Sequence, residues 1–209
     1  SNAVEHFGYK NVYPHELKYS QLRELNMGEN FETVDGDFPY RGLRGDDIPD
    51  NLRIVTLLEV LHLLRTEPYR NYNFQYIIEI KDSDELGTRA MDLLYEAMIE
   101  FDIIDKTIVG SFNQCVIDHI DNNYSDITRS AGMSEVFDFY FSSIFNVDLS
   151  KKDYKFQVLQ IPYKQFGINF GKKSIVDYAH HYGLAVQFWT INKESHIRHL
   201  VEIGADAII

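Results

Sequence analysis

The order of predicted elements along the 209-residue chain predicts an α/β protein in which parallel strands alternate with helices. A doubly wound sheet and a (β/α)₈ TIM-type barrel both have this order. Two observations favour the barrel. Polar or aromatic residues stand where many predicted strands end, as in barrel active sites, and no Gly-rich phosphate loop follows any strand. The strand-end residues are Glu79, Lys81, Ser111, Gln160, Asn169, Trp189 and Asn192.

Apolar periodicity and end signals predict the helices. Glu59 follows Thr56 by three residues, which is the capping-box pattern of a helix start. Gly183 and Gly204 follow two helical patterns as stop signals. The predicted helices cover 18–26, a segment that begins at Thr56, and 83–101, 113–124, 133–145, 171–183 and 193–204. In 83–101 one apolar stripe is predicted to contain Leu86, Ala90, Leu93, Leu94, Ala97 and Met98.

Apolar runs between these helices predict the strands, which cover 74–81, 106–112, 155–162, 166–170, 184–192 and 205–209. Residues 27–54 are rich in Gly, Asp, Arg and Pro and are predicted to form an irregular surface loop. Residues 1–3 resemble a scar left by tag removal. A single α/β domain over residues 4–209 is therefore predicted, and its last apolar run stops without a cap.

Composition limits the classes of function. The net charge of −12 argues against a nucleic-acid partner, which needs a basic surface, and against docking on anionic lipid. No apolar run approaches the ~20 residues of a membrane span. With Cys115 as the one cysteine, no intrachain disulfide can form, and the compartment stays undecided between cytoplasm and a tether to a membrane region outside this chain.

The segment QYIIEIKD, residues 75–82, contains the candidate charged pair. Side chains two apart in a strand share a face, so Glu79 and Lys81 point the same way at the strand end. A carboxylate at this place suits a hard divalent cation, and an ammonium suits a phosphate oxygen. A structural ion pair at the barrel mouth is an equal alternative.

Other strand-end residues carry weaker signals. Trp189, the one tryptophan, is either a core residue or a platform for a ligand. Ser111 lacks a G-x-S-x-G elbow and is interpreted as a barrel-lining hydroxyl. The eight histidines are scattered, His180 and His181 stand at a helix C-terminus where they suit the dipole, and no H-E-x-x-H or C-x-x-C motif indicates zinc.

Seven phrases, taken in order, resemble the glycerophosphodiester phosphodiesterase family: YSQLRELNMGENF, RIVTLLEVLHLL, YIIEIKD, IVGSFN, VLQIPY, AVQFWTIN and GADAII. The resemblance covers nearly the whole chain. It implies a TIM barrel that hydrolyses glycerophosphodiesters to glycerol 3-phosphate and an alcohol, with Mg²⁺ or Ca²⁺ as cofactor. It also implies that Glu79 is a metal ligand, that Lys81 binds phosphate, and that Trp189 is the aromatic wall of the substrate pocket.

The chain departs from this family pattern in its missing segments. The H-R-G, E-x-D and H-D segments and the closing T-D are not found, so the barrel is expected to be incomplete at its start and slightly short at its end. The family histidines lie in those segments, and the chain alone is therefore expected to be inactive. A catalytically dead barrel that serves as a binding or scaffold module is the alternative, and homo-oligomerisation through exposed strand edges is predicted.

Overall fold

The computed structural model describes residues 3–8 and 13–209. The chain divides into two compact units, Ser1–Tyr72 and Asn73–Ile209. Ser1 and Asn2, which belong to the predicted scar, lie outside the described residues, whereas Ala3 begins a helix. In the part of the chain that is described, the helices are all too short or too polar to cross a membrane.

The described part of the first unit contains three α-helices, α1 (Ala3–Phe7), α2 (Tyr19–Leu22) and α3 (Leu57–Leu64), joined by irregular chain with short 3-10 turns. The capping box of α3 is present as predicted: Thr56 Oγ1 accepts from Glu59 N at 3.2 Å, and Thr56 N donates to the Glu59 carboxylate at 2.7 Å. The fully buried Asn26 holds the loop, because its Nδ2 donates to Tyr40 O at 2.7 Å and its Oδ1 accepts from Gly28 N at 2.9 Å.

The second unit alternates strands and helices. Its parallel strands are β1 (Tyr76–Ile80), β2 (Thr107–Ser111), β3 (Thr128–Arg129), β4 (Val158–Pro162), β7 (Ala185–Trp189) and β8 (Ala207–Ile208). A small hairpin consists of β5 (Lys164–Gln165) and β6 (Ile168–Asn169). The helices are α4 (Asp84–Glu100), α5 (Gln114–Asn123), α6 (Met133–Phe145), α7 (Lys173–His181) and α8 (Glu194–Glu202).

The parallel strands follow one another in chain order, as β1-β2-β3 and β4-β7-β8. A bridge between Ser130 and Val158 joins the two sets. Parallel register places same-face residues side by side, with Glu79 opposite Gly110 and Gln160 opposite Gln187. This arc of strands with helices between them confirms the predicted parallel α/β organisation.

The two faces of the arc have different surroundings. We call the face toward the helices the outer face and the opposite one the inner face. On the outer face Leu159, Ile161, Val186 and Phe188 are at most 1% exposed and pack in one cluster with helix residues such as Leu200. Because strand side chains alternate, the residues between them point to the inner face.

Three predicted elements differ from the structure. Leu94, Ala97 and Met98 of α4 are buried as predicted, together with Gly87 and Met91. Leu86 and Leu93, which the predicted stripe also contained, are exposed. Gly87 packs closely, since a Cβ there would stand 2.4 Å from Asp82 O and 2.7 Å from Val116 Cγ2 of α5. The predicted strand 166–170 is part of an antiparallel hairpin, and the predicted helix 18–26 is limited to the four residues of α2.

Candidate active site

A cavity of about 430 Å³ opens on the inner face, at the carboxyl ends of the strands. Its walls come from all six parallel strands or the residues directly after them. The side chains that matter for chemistry are Glu79, Lys81, Ser130, Gln160 and Trp189. The structure thus brings the three sequence-predicted site residues together in one concavity.

Glu79 and Lys81 form an ion pair in the cavity. Lys81 Nζ donates to Glu79 Oε2 at 2.7 Å, and the Lys81 side chain is 77% exposed whereas that of Glu79 is 35% exposed. Because the lysine is mostly in solvent and has one partner, it can turn toward an incoming anion without breaking a buried network. The pair carries no net charge, so by itself it gives no net attraction for an anion.

Asn113 fixes the chain just after Lys81. Its Nδ2 donates to Lys81 O at 3.0 Å and to Asp82 O at 3.1 Å. Ser111 Oγ completes this corner by donating to Ile80 O at 2.8 Å and accepting from Asn113 N at 3.1 Å. The Ser111 hydroxyl lines the cavity as predicted, yet both of its hydrogen bonds serve the backbone. Sequence reasoning missed Asn113, although an asparagine directly after a strand is a common turn signal.

Trp189 forms the aromatic side of the cavity. Its ring lies edge-on to that of Phe112, with 5.7 Å between centroids. Beyond these rings a narrow apolar groove continues between α6 and the β5–β6 hairpin, lined by residues that include Met133, Phe137 and Phe166. Trp189 therefore stands between the cavity that contains the Glu79–Lys81 pair and an apolar groove.

Asn169 and Asn192, which the sequence placed at strand ends, lie outside the lining of this cavity. Asn169 belongs to the hairpin, where its Oδ1 accepts from Gly171 N at 3.0 Å. Asn192 is exposed after the end of β7. The prediction that Asn169 ends a barrel strand is wrong, since the strand it was assigned to is the returning arm of the hairpin.

A buried ion-pair network holds β3 next to the cavity. Arg129, 1% exposed, donates to the Asp121 carboxylate at 2.6 and 2.8 Å and to the Glu135 carboxylate at 2.7 and 2.9 Å. Burial by itself lowers the pKa of Arg129, but the hydrogen bonds to Glu135 and Asp121 raise it above its usual value. Glu135 also accepts from Gly132 N at 2.7 Å, so the network anchors the chain directly after Ser130.

The histidines serve other contacts. His119 hydrogen-bonds Asp92 at 2.6 Å, His180 bonds Asp206 at 2.8 Å, and His199 bonds Gly171 O at 2.9 Å. His196 stacks on Tyr163 with 4.2 Å between ring centroids. No histidine is among the residues that line the cavity.

The residues present supply one ligand for the divalent cation that the resemblance implies. Residues 3–8 and 13–209 contain no group of three or more His, Cys, Asp or Glu side chains that could hold a metal ion. Hard cations such as Ca²⁺ take six to eight oxygen ligands. Glu79 alone therefore does not complete a metal site.

Comparison with known proteins agrees with the family resemblance seen in the sequence motifs. A model described as the glycerophosphoryl diester phosphodiesterase family matches residues 5–209. No curated protein matches the chain.

Solved structures also resemble the chain. One is the glycerophosphoryl diester phosphodiesterase domain of an uncharacterized Mycobacterium tuberculosis protein. It is 15% identical with a TM-score of 0.65, and the match covers 93% of this chain and 72% of that one. A Silicibacter pomeroyi DSS-3 protein, provisionally named glycerophosphoryl diester phosphodiesterase, is 18% identical with a TM-score of 0.63, over 92% of this chain. The chain spans 64% of the length of that protein. At these identities the likeness shows the fold.

Proposed function

Because this chain belongs to the glycerophosphoryl diester phosphodiesterase family, whose α/β fold is the predicted TIM-type barrel, we propose that its cavity binds a glycerophosphodiester. In the reaction, water cleaves the phosphodiester to glycerol 3-phosphate and an alcohol. The observation that carries the proposal is the Glu79–Lys81 pair, which emerges into a 430 Å³ cavity at the carboxyl ends of parallel strands. This is the end at which TIM barrels place their active sites.

Lys81 is proposed to hold the phosphate. Its ammonium is a mobile point charge on an exposed stem and can contact a phosphate oxygen while it stays near Glu79. In the transition state negative charge grows on the phosphoryl oxygens, and an ammonium in contact with them stabilises that charge more than it stabilises the substrate. Asn113 holds the backbone of Lys81 and so keeps the ammonium at the cavity edge.

Glu79 is proposed to contribute one carboxylate oxygen to Mg²⁺ or Ca²⁺. The Glu79–Lys81 pair has no net charge, and Glu79 alone repels an anionic phosphate. A divalent cation, when bound, supplies positive charge that polarises a phosphoryl oxygen. Residues 3–8 and 13–209 contain no group of three or more His, Cys, Asp or Glu side chains that would complete the site.

We propose that Trp189 and Phe112 form the wall of the cavity beside the alcohol group that the reaction releases. Their edge-on rings separate the polar cavity from the apolar groove. Packed aromatic rings exclude water from one side of the phosphodiester, which strengthens the contact to Lys81. The rest of the lining includes polar residues such as Glu79, Lys81 and Gln160 and apolar ones such as Ile77 and Ile209.

Binding of the phosphate group tests the role of Lys81. In titration calorimetry with glycerol 3-phosphate, Lys81→Met is expected to lower the affinity by about tenfold or more, the effect of losing a charge-assisted hydrogen bond. The matched control is Lys155→Met, at an exposed lysine before β4. Equal loss in both variants, or none in Lys81→Met, would contradict the assignment. Glu79→Gln should remove any increase in affinity that Mg²⁺ or Ca²⁺ produces.

A non-catalytic binding or scaffold module is the second candidate function. It is favoured by the lack, among the described residues, of a group of three or more side chains that could hold a metal ion. For the same reason we expect the 209-residue chain to bind but not to hydrolyse glycerophosphocholine in the presence of Mg²⁺ or Ca²⁺. Turnover at ordinary enzyme rates of about 1 s⁻¹ or more would refute this expectation and leave the enzyme as the one candidate.

A further inference from the structure

The helix α6 is apolar on two opposite sides. Toward the core, Phe139 is buried, and Val136 and Tyr140 pack against the main apolar cluster. On the other side four large apolar side chains are exposed: Met133, Phe141, Ile144 and Phe145. A helix that is apolar all round is normally buried all round, so the second side of α6 is expected to have a partner.

The exposed residues form one continuous surface. Phe137, which is half-buried, stands between Met133 and Phe141, because residues four apart lie on the same side of a helix. The β5–β6 hairpin extends this surface, since the ring of Phe166 lies with its centroid 6.4 Å from that of Phe137. We call the whole set the exposed stripe: Met133, Phe137, Phe141, Ile144, Phe145 and Phe166.

The exposed stripe is uncharged, and the charges of its helix are already paired. Glu135 and Asp138 are the only charged residues of α6. The Glu135 carboxylate accepts from Arg129, and the Asp138 carboxylate accepts from Lys152 and Tyr154. An apolar partner on the stripe would therefore leave no charge of α6 without its own partner.

The exposed leucines of α4 lie in different surroundings. Leu86 and Leu93 share their side of the helix with Arg89 and Glu96, because residues three or four apart are neighbours on a helix. Arg89 and Glu96 are exposed as well. Single apolar residues among charged ones are normal on a protein surface, so this side of α4 needs no partner and serves as a comparison.

The exposed stripe is large enough for a weak dimer. Five of its side chains are between 38% and 75% exposed, which gives about 600 Å² of apolar surface at about 200 Å² for each side chain. The largest apolar patch on a typical monomer is about 300–600 Å². Two such stripes would bury about 1,200 Å² together, which is the lower limit of a standard protein interface.

We propose that the exposed stripe binds the same stripe on a second copy of this chain and so forms a two-fold dimer. A two-fold interface needs one self-complementary patch, and an uncharged apolar stripe complements itself. A lipid surface is disfavoured, because α6 contains no Lys or Arg to contact head groups and the chain has a net charge of −12. This interface is distinct from the strand edges through which the sequence predicts association.

Sedimentation equilibrium of the 209-residue chain tests the proposal. The mass should rise with concentration from 24.4 kDa toward twice that value, with a dissociation constant of about 10 μM, as expected for a small interface. Phe141→Glu and Phe145→Glu should each raise this constant by about 100-fold or more, because symmetry places the new carboxylate in the interface twice. The matched control is Leu93→Glu, on the exposed side of α4, which should leave the constant unchanged.

Three further measurements sharpen the test. Phe166→Ser, at the edge of the stripe, should raise the dissociation constant by about tenfold, since one ring is lost and no charge is added. A change from about 50 mM to about 500 mM NaCl should tighten the dimer, because salt screens the repulsion between two acidic copies. Urea unfolding at about 1 μM chain, where the monomer predominates, should be the same for all these variants and shows that they fold.

Three outcomes would overturn the proposal. The first is an unaltered chain that stays monomeric at about 100 μM. The second is a dimer that persists in both Phe141→Glu and Phe145→Glu, since the contact would then lie elsewhere, for example at the strand edges. The third is a monomer that binds phosphatidylcholine vesicles and loses this binding in Phe145→Glu, because the stripe would then belong to a membrane surface.

Discussion

The outer and inner faces of the same strands have opposite characters. On β4 and β7 the outer residues Leu159 and Phe188 are completely buried among apolar neighbours, whereas the adjacent inner residues Gln160 and Gln187 pair with each other beside a cavity. Since side chains alternate along a strand, one short sequence serves both faces. The outer face holds the arc together, and the inner face is left free to bind.

The charged residues repeat this contrast. On the outer face Arg129 is buried and donates to two carboxylates as well as to Ser130 O. On the inner face Lys81 is exposed, and among the residues that the structure describes its one ion-pair partner is Glu79. A buried charge that donates to several partners stabilises the fold, while an exposed charge with one partner remains available to a ligand.

The largest effect is expected from truncating the outer face. Phe188→Ala should lower the free energy of unfolding by about 4 kcal/mol, since it removes a fully buried ring and leaves a cavity. Urea denaturation followed by circular dichroism measures this change. Phe145→Ala, at a ring that is 75% exposed, is the matched control and should stay within about 0.5 kcal/mol. Similar losses in both variants would break the comparison.

Removal of the buried cation should have the next largest effect. Arg129→Leu leaves the carboxylates of Asp121 and Glu135 without their cation. The free energy of unfolding should therefore fall by about 3 kcal/mol. We place it at the low end of the usual range because both carboxylates are about a fifth exposed and can be hydrated. The control Arg198→Leu, in an exposed pair with Glu194, should cost less than about 1 kcal/mol. A small loss for Arg129→Leu would show that the network is dispensable.

The smallest effect is expected on the inner face. Replacing both Gln160 and Gln187 by Leu should leave the free energy of unfolding within about 1 kcal/mol, because exchanging both partners of a hydrogen bond for apolar groups is nearly neutral. Gln160→Leu alone should be less stable than the double variant, since Gln187 Oε1 then loses its donor. The same denaturation experiment decides it. A double variant that unfolds far more easily would show that the Gln160–Gln187 hydrogen bond serves mainly to stabilise the fold.

Much of the fold could be predicted because it depends on local pattern. The apolar runs of β1, β2, β4 and β7 and the capping box of Thr56 are visible in sequence. The shared cavity of Glu79 and Lys81 followed from the period of two in a strand. Trp189 was placed at the cavity for a related reason, as a residue at a strand end.

What the sequence did not reveal depends on register and close packing. Ser130 was missed because β3 has two residues and is held by its neighbours. The role of Gln187 depends on its register with Gln160. The hairpin was mistaken for a strand because Phe166 adopts a φ of +50° together with Gly167 at +78°, and an aromatic residue gives no signal of a left-handed turn. Leu86 and Leu93 are as apolar as the residues that α4 does bury, so composition could not choose the face.

The alternation along β4 and β7 has a consequence for how this chain can change. Deleting or inserting one residue within either strand would turn Leu159 or Phe188 into the cavity and send a glutamine among the helices. Core and binding surface would both be lost in one step, even though the other residues of the strand were unchanged. Length variation is therefore tolerable in the connecting loops, where closure costs grow slowly with length, and strand length is constrained to steps of two.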